Sequence, residues 1–288
     1  MSKISFFILL FLAYIPLLFA QETIKLWQGC DFATKKMAYS EITTYLADNN
    51  PSGTAVIICP GGSYCYLGMK NEGRKVAEWL QKNGISAFVL RYRVGMYGNR
   101  HPAMVQDLQR AIQLIKEDHF LYGIDTVKIG VMGFSAGGHL VGMAATYFKK
   151  NYMESLGIIP KVSLRPNFTV MIYPVVSMLD SLVHRRSRAN LLGRQYTTDE
   201  QNQMSLELNV HKELPPVFMI HCHYDKTVDY RNTLYYQKAL ENKGIPYHFR
   251  LYEEAGHGFG IKSGDSRKKA PEWIEELIPW LKDIRMIN

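Results

Sequence analysis

Residues 126–148, TVKIGVMGFSAGGHLVGMAATYF, decide the fold. Residues 126–132 are short, β-branched and apolar, the composition of a strand covered on both faces. Residues 137–148 are rich in Ala, Leu and Met and long enough for a helix. Between them lies Gly133-Phe134-Ser135-Ala136-Gly137, a G-x-S-x-G pentapeptide on a strand-to-helix turn. In that setting the motif is a nucleophile elbow. Glycines two residues either side permit a tight, crowded backbone, and the turn lifts the serine hydroxyl clear of the sheet. Small residues cluster in many loops, so the flanking strand and helix give this pentapeptide its meaning.

Outward from the elbow, short apolar runs alternate with amphipathic segments of helical length. Strands are predicted at 24–27, 42–47, 54–59, 86–92, 126–132, 168–173, 217–221 and 247–252, and helices at 72–82, 102–117, 137–148, 231–242 and 271–284. Several later strands read as continuous apolar runs, while the earliest are more polar and closer together, suiting an antiparallel edge. The pattern predicts a doubly wound α/β fold with helices on both faces and loops gathered at the strand C-termini. Residues 177–214 interrupt it with a polar, charged insert. Its place between two core strands suits a small cap or rim over the active-site face, and equally a surface excursion.

A serine hydroxyl needs a neighbouring base, and the base must be a histidine held in one tautomer by a carboxylate. In this chain order the acid and then the histidine follow the serine, each after a late strand. Asp225 stands just beyond the apolar run 217–220, and could also serve as an N-cap for helix 231–242. Asp229 falls at the start of that helix, and Asp180 follows the preceding strand; both are weaker choices. His257 lies in Glu253-Glu254-Ala255-Gly256-His257-Gly258-Phe259-Gly260, directly after strand 247–252. His139 belongs to the elbow helix, His101 begins a helix, His221 and His223 border a strand end, and His248 alternates along a strand. His184 and His211 fall in the insert. His221 and His223 form a His-x-His pair without a third ligand in sight, so neither a metal nor another cofactor is expected. An oxyanion needs preorganised N–H donors. Ala136 supplies one, and the turn Cys59-Pro60-Gly61-Gly62-Ser63-Tyr64 is placed to supply another.

Residues 1–20 read as an export leader: Lys3, then an almost wholly apolar run, then Phe19-Ala20 before Gln21. The run is short for a membrane span, so a stable span is not expected; an uncleaved anchor is the competing reading. The chain carries 34 Lys and Arg against 26 Asp and Glu, a net charge of +8, and loses only Lys3 with the leader. That excess is dispersed. Its densest cluster, His184-Arg185-Arg186-Ser187-Arg188, lacks the interleaved aromatics of a nucleic-acid surface. Residues 21–288 suit one α/β domain. Cys30, Cys59, Cys65 and Cys222 match no metal or redox spacing and are expected to be free thiols, although export would permit pairing.

Together these residues resemble the α/β-hydrolase superfamily, and more closely the secreted carbohydrate esterases related to acetylxylan esterases. Beyond the elbow the likeness is carried by Pro60-Gly61-Gly62-Ser63-Tyr64, Glu72-Gly73 leading into Val76-Ala77-Glu78-Trp79-Leu80, Phe88-Val89-Leu90-Arg91-Tyr92-Arg93, and His101-Pro102 before Asp107-Leu108-Gln109-Arg110-Ala111-Ile112. Asn190-Leu191-Leu192-Gly193, Asp225-Lys226-Thr227-Val228 and Gly256-His257-Gly258-Phe259 complete it. The resemblance implies an α/β-hydrolase fold, a Ser135–His257–Asp225 triad, and Gly62, Ser63 and Ala136 around the oxyanion. Two departures stand out: Ser63 replaces a third glycine, and Asn71 replaces a histidine often found before Glu72. The implied activity is an exported (secreted or periplasmic) serine esterase that removes acetyl groups from xylan-type polysaccharide or its oligosaccharides through an acyl-enzyme. Tyr64, Tyr66 and Tyr224 would stack on sugar faces, unless they are ordinary half-buried tyrosines. The alternatives are a feruloyl esterase, a prolyl-oligopeptidase-type peptidase, or a catalytically silent carbohydrate-binding module.

Overall fold

The computed structural model describes residues 21–261 and 272–288, so the leader and the first residue of the helix predicted at 271–284 lie outside the described residues. Eight strands form one sheet: β1 (Thr23–Lys25), β2 (Glu41–Tyr45), β3 (Ala55–Cys59), β4 (Ser86–Arg91), β5 (Ile129–Phe134), β6 (Thr169–Ile172), β7 (Val217–Cys222) and β8 (Tyr247–Tyr252). Their order is β1-β2-β4-β3-β5-β6-β7-β8. β1 pairs antiparallel with β2 and β2 with β4; every other pairing is parallel. The polar early strands are thus the antiparallel edge. This is the α/β-hydrolase architecture.

The helices are α1 (Lys75–Lys82), α2 (Ala103–Glu117), α3 (His119–Tyr122), α4 (Ala136–Thr146), α5 (Arg185–Leu192), α6 (Thr198–Gln203), α7 (Arg231–Lys243) and α8 (Trp273–Asp283). Strand side chains alternate between two cores, as a period of two requires. Ile57, Val131, Met171 and Met219 join Leu108, Leu140 and Leu240 from α2, α4 and α7. Ile58, Met132, Ile172 and Ile220 join Val76, Leu80, Trp273 and Leu277 from α1 and α8. With both faces covered, β3, β5, β6 and β7 are buried throughout, which is why they read as unbroken apolar runs.

Most boundaries agree to within two residues, and two starts lie three residues later than the sequence reading for local reasons. The strand predicted from residue 126 begins at Ile129, because Asp125 turns the chain: its carboxylate accepts from Val127 N–H at 3.0 Å, and its carbonyl from Lys128 N–H at 2.9 Å. The helix predicted from residue 72 is entered through a wider π turn, Met69–Arg74, which buries Glu72 and Gly73. The insert packs onto the domain. Leu191, Met204 and Leu206 are buried, and Leu191 O accepts from His101 N–H at 2.8 Å. Among the described residues no helix is long and apolar enough to cross a membrane.

Candidate active site

Ser135 sits between β5 and α4 with φ 53° and ψ −118°, a backbone conformation that L-residues rarely adopt. The neighbouring strand holds it there: Ser135 N–H donates to Ile172 O at 2.9 Å, and Ser135 O accepts from Val175 N–H at 3.1 Å. The flanking glycines are required by close approach. A Cβ at Gly133 would lie 2.1 Å from Gly137 O, and one at Gly137 would lie 2.1 Å from Cys59 O. The second contact presses the elbow against the end of β3, where the Pro60–Tyr66 loop begins.

Asp225 follows β7 and His257 follows β8, so three parallel strands deliver three side chains to one end of the sheet. His257 Nε2 is 2.9 Å from Ser135 Oγ, and its Nδ1 is 2.6 Å from Asp225 Oδ2. The other Asp225 oxygen accepts from Thr227 and Val228 N–H at 2.8 and 2.9 Å. Its carboxylate therefore caps the turn as well as facing the imidazole. Asp229 instead pairs with exposed Arg231, and Asp180 with Arg188 of the insert, which removes both rivals.

A second histidine completes the acid's surroundings. Fully buried His221 places Nε2 at 3.2 Å from Asp225 Oδ2 and 3.1 Å from Val228 O, while Nδ1 lies 2.7 Å from Thr233 Oγ1. Carbonyl and carboxylate both need a donor, so Nε2 carries the proton and Nδ1 accepts from Thr233. Burial works against the Asp225 anion, but hydrogen bonds from His221 and His257 outweigh it and hold the carboxyl well below the usual range.

The loop after β3 turns through Ser63 (φ 57°) and Tyr64 (φ 56°), two consecutive left-handed non-glycine residues. Such a turn persists only when its surroundings fix it. Asn190 of α5 donates to Ser63 O at 3.0 Å. The Tyr64 hydroxyl donates to His139 Nδ1 at 2.8 Å, and His139 Nε2–H donates to Met204 O at 2.7 Å. Burial pushes His139 down to about 4, so it is neutral at pH 7 and suited to this relay. Ser63 therefore occupies the usual glycine position because the insert and α4 pin the turn from both sides. Among the described residues, the N–H groups of Gly62, Ser63 and Ala136 have no protein acceptor.

Glu72, buried on the π turn, ties this loop to the histidine loop. Its Oε2 accepts from Gly61 N–H at 2.8 Å and its Oε1 from the Tyr173 hydroxyl at 2.7 Å. Tyr173 Oη in turn accepts from Gly260 N–H at 3.0 Å, and its ring packs 4.7 Å from the His257 ring. Burial raises the Glu72 carboxyl above its ordinary value, with the bonds from Tyr173 and Gly61 opposing it.

Ser135 opens into a cleft of about 630 Å³, walled by Ser63, Tyr66, Asn71 and Glu72 and, from the insert, His184 and Arg186. The insert is therefore a rim of the cleft. Arg186 lies over the Tyr66 ring at 5.7 Å. The three tyrosines expected to meet a substrate separate here. Tyr66 is exposed on the cleft wall. Tyr64 is fully buried, with its hydroxyl committed to His139, and cannot touch a substrate. Tyr224 is exposed beside His223, outside the cleft. All four cysteines are unbridged, and the described residues hold no cluster of three metal-ligating side chains.

Glu72, Tyr173, His139 and His221 escape a sequence reading because nothing local distinguishes a buried brace from an exposed or core residue. The one available signal is the i, i+4 spacing of His221 and Asp225 across a strand end.

The BD-FAE family model matches residues 42–240. Over 239 residues the chain is 33% identical to an acetylxylan esterase of Xylanibacter ruminicola, covering 82% of this chain and 46% of that protein. It is 31% identical over 226 residues to endo-1,4-beta-xylanase B of Butyrivibrio fibrisolvens, covering 77% and 35% respectively. The chain thus spans about half or less of the length of the curated relatives it matches. Among solved structures, the acetyl ester-xyloside bifunctional hydrolase of Caldicellulosiruptor lactoaceticus superposes with a TM-score of 0.82 at 32% identity, covering 93% of this chain and 98% of that one.

Proposed function

The chain belongs to the BD-FAE family of α/β-hydrolases, and we propose that it is a carboxylic ester hydrolase working through Ser135, His257 and Asp225 on acetylated xylan-type carbohydrate. The observation that carries this reading is the unbroken relay from Asp225 Oδ2 through the His257 ring to Ser135 Oγ, at 2.6 and 2.9 Å. His257 Nε2 takes the Ser135 proton as Oγ bonds to the ester carbonyl carbon, and ionised Asp225 stabilises the imidazolium that forms. Negative charge on the carbonyl oxygen falls to the free N–H groups of Ala136 and the Gly62–Ser63 turn. His257 then protonates the departing sugar oxygen, leaving acetyl-Ser135. A water molecule deprotonated by the same imidazole attacks the acyl carbon, and Ser135 recovers its proton as acetate leaves.

The acetylxylan esterase of Xylanibacter ruminicola and the acetyl ester-xyloside hydrolase of Caldicellulosiruptor lactoaceticus support acetylated xylan or its fragments as the substrate. Residues 1–20 serve as an export signal, which would bring the enzyme to a polymer too large to enter a cell.

A fluorophosphonate should label the wild type and leave Ser135→Ala unlabelled. Absence of label on folded wild type would end the serine mechanism. Acetate and ferulate release from natural xylan fragments test the substrate: acetate should dominate. Hydrolysis of an aryl acetate with neither product from xylan would keep the chemistry and remove the carbohydrate.

A further inference from the structure

Resting on that reading, we propose that a second groove beside the catalytic cleft binds the glycan chain next to the acetylated sugar and favours a chain carrying a uronate. The groove, of about 480 Å³, runs past the C-terminal end of β4 and is lined by Tyr39, Tyr97 and Met96. That volume lies within the range of small-ligand sites, roughly 300–1,000 Å³. It shares Tyr66 and Leu67 with the cleft that holds Ser135, so one chain can occupy both.

Three features select its occupant. Large apolar side chains are unusually open here: Tyr39 is 71% exposed, Tyr97 63% and Met96 58%. The Tyr39 and Tyr97 rings lie 6.4 Å apart and nearly parallel, at 16°. Flat, exposed tyrosine faces with free hydroxyls suit the C–H faces and hydroxyls of a pyranose. The charge is one-signed. Lys35, Lys36, Arg91 and Arg93 border the groove, and no carboxylate does. Arg91 and Arg93 are engaged by Glu41 and Asp107, but among the described residues Lys35 and Lys36 have no acidic partner. Two free ammonium groups beside an aromatic platform match a neutral sugar backbone bearing a carboxylate. The third feature is continuity: Tyr66, with Arg186 over its ring, lines both cavities.

The test compares three substrates: an aryl acetate, an acetylated xylo-oligosaccharide, and the same oligosaccharide with a glucuronic acid branch. Tyr97→Ala should raise KM about five- to tenfold for both oligosaccharides and leave the aryl acetate unchanged. Lys36→Gln should raise KM several-fold for the branched oligosaccharide alone, with the difference shrinking in high salt. Unchanged KM in both variants, with the wild type releasing acetate from the oligosaccharides, would overturn the groove and leave the esterase reading intact. A wild type that cleaves only the aryl acetate would remove the carbohydrate reading, and the groove with it. A native mass that falls on Tyr97→Ala would assign the groove to a second copy of this chain and overturn the proposal.

Discussion

Asp225 and Glu72 are both buried carboxylates of the candidate site, at 8% and 9% exposure, yet their surroundings push them in opposite directions. Burial penalises both anions. The difference lies in the donors. Asp225 receives two backbone N–H groups and two imidazoles, and is held ionised. Glu72 receives one backbone N–H and one hydroxyl, too little to offset its burial, and its carboxyl is raised. The donor set, together with depth, decides which carboxylate suits which task. A permanent anion suits the residue facing an imidazole that gains a proton. A carboxyl with one oxygen on Gly61 and the other on Tyr173 suits a brace between two loops.

The largest break in that comparison is Asp225→Asn. The amide loses the charge that favours the imidazolium and competes for the wrong tautomer, so kcat on an aryl acetate should fall about 10³–10⁴-fold, the loss typical of serine triads. A loss below tenfold would remove Asp225 from the relay. Glu72→Gln should do less, since its carbonyl can still accept from Gly61 N–H. The expected fall in kcat is about tenfold with KM little changed, against about 10²–10³ for outright loss of an oxyanion donor. A change in KM alone would assign Glu72 to substrate contact.

Stability against pH should separate the same two residues by sign. Asp225 has a folded pKa below its ordinary 3.8, so its contribution is present above that value and is lost as pH falls towards the folded one. Glu72 has a folded pKa above its ordinary 4.5, so the folded state holds the proton longer and stability declines as pH rises from there. Relative to wild type, the Tm of Asp225→Asn should therefore worsen between pH 3 and 5, while that of Glu72→Gln should improve from pH 4.5 upward. Thermal melts of the three proteins across pH 3–7 read both trends. A common sign would mean that burial, and not the donors, controls the pair.

The part of this site carried by short-range backbone chemistry was legible in the sequence. Ser135 is announced by two glycines that no other residue can replace. Asp225 follows an apolar run whose strand character is plain, and His257 follows the aromatic-rich strand 247–252. Glu72 illustrates the opposite case. It lies in a helix-like, polar stretch, and only the π turn buries it beneath Gly61. Tyr64 fails in the other direction: a tyrosine in a glycine-rich loop looks available to a sugar until its hydroxyl is seen on His139, 75 residues away. Long-range hydrogen bonds of this kind have no period and no local composition, so sequence patterning does not register them. The insert shares that limit, because its role depends on Asn190 reaching Ser63 across 127 residues.

His221 sharpens the comparison with the smallest expected effect. Among the donors to Asp225 it is the imidazole that does not face the serine, and it shares its Nε2–H with Val228 O. It acts through Asp225 and is a positioning residue. His221→Gln should lower kcat about three- to tenfold while leaving KM near wild type. Loss of packing alone could also slow the enzyme, so the decisive measurement is a double-mutant cycle. In the Asp225→Asn background the carboxylate that His221 orients is gone, and the same substitution should then change kcat by less than about twofold. Equal losses in both backgrounds would make His221 a core residue whose contact with the acid has no catalytic consequence. The four donors at Asp225 would then reduce to three that matter, still one more than Glu72 receives.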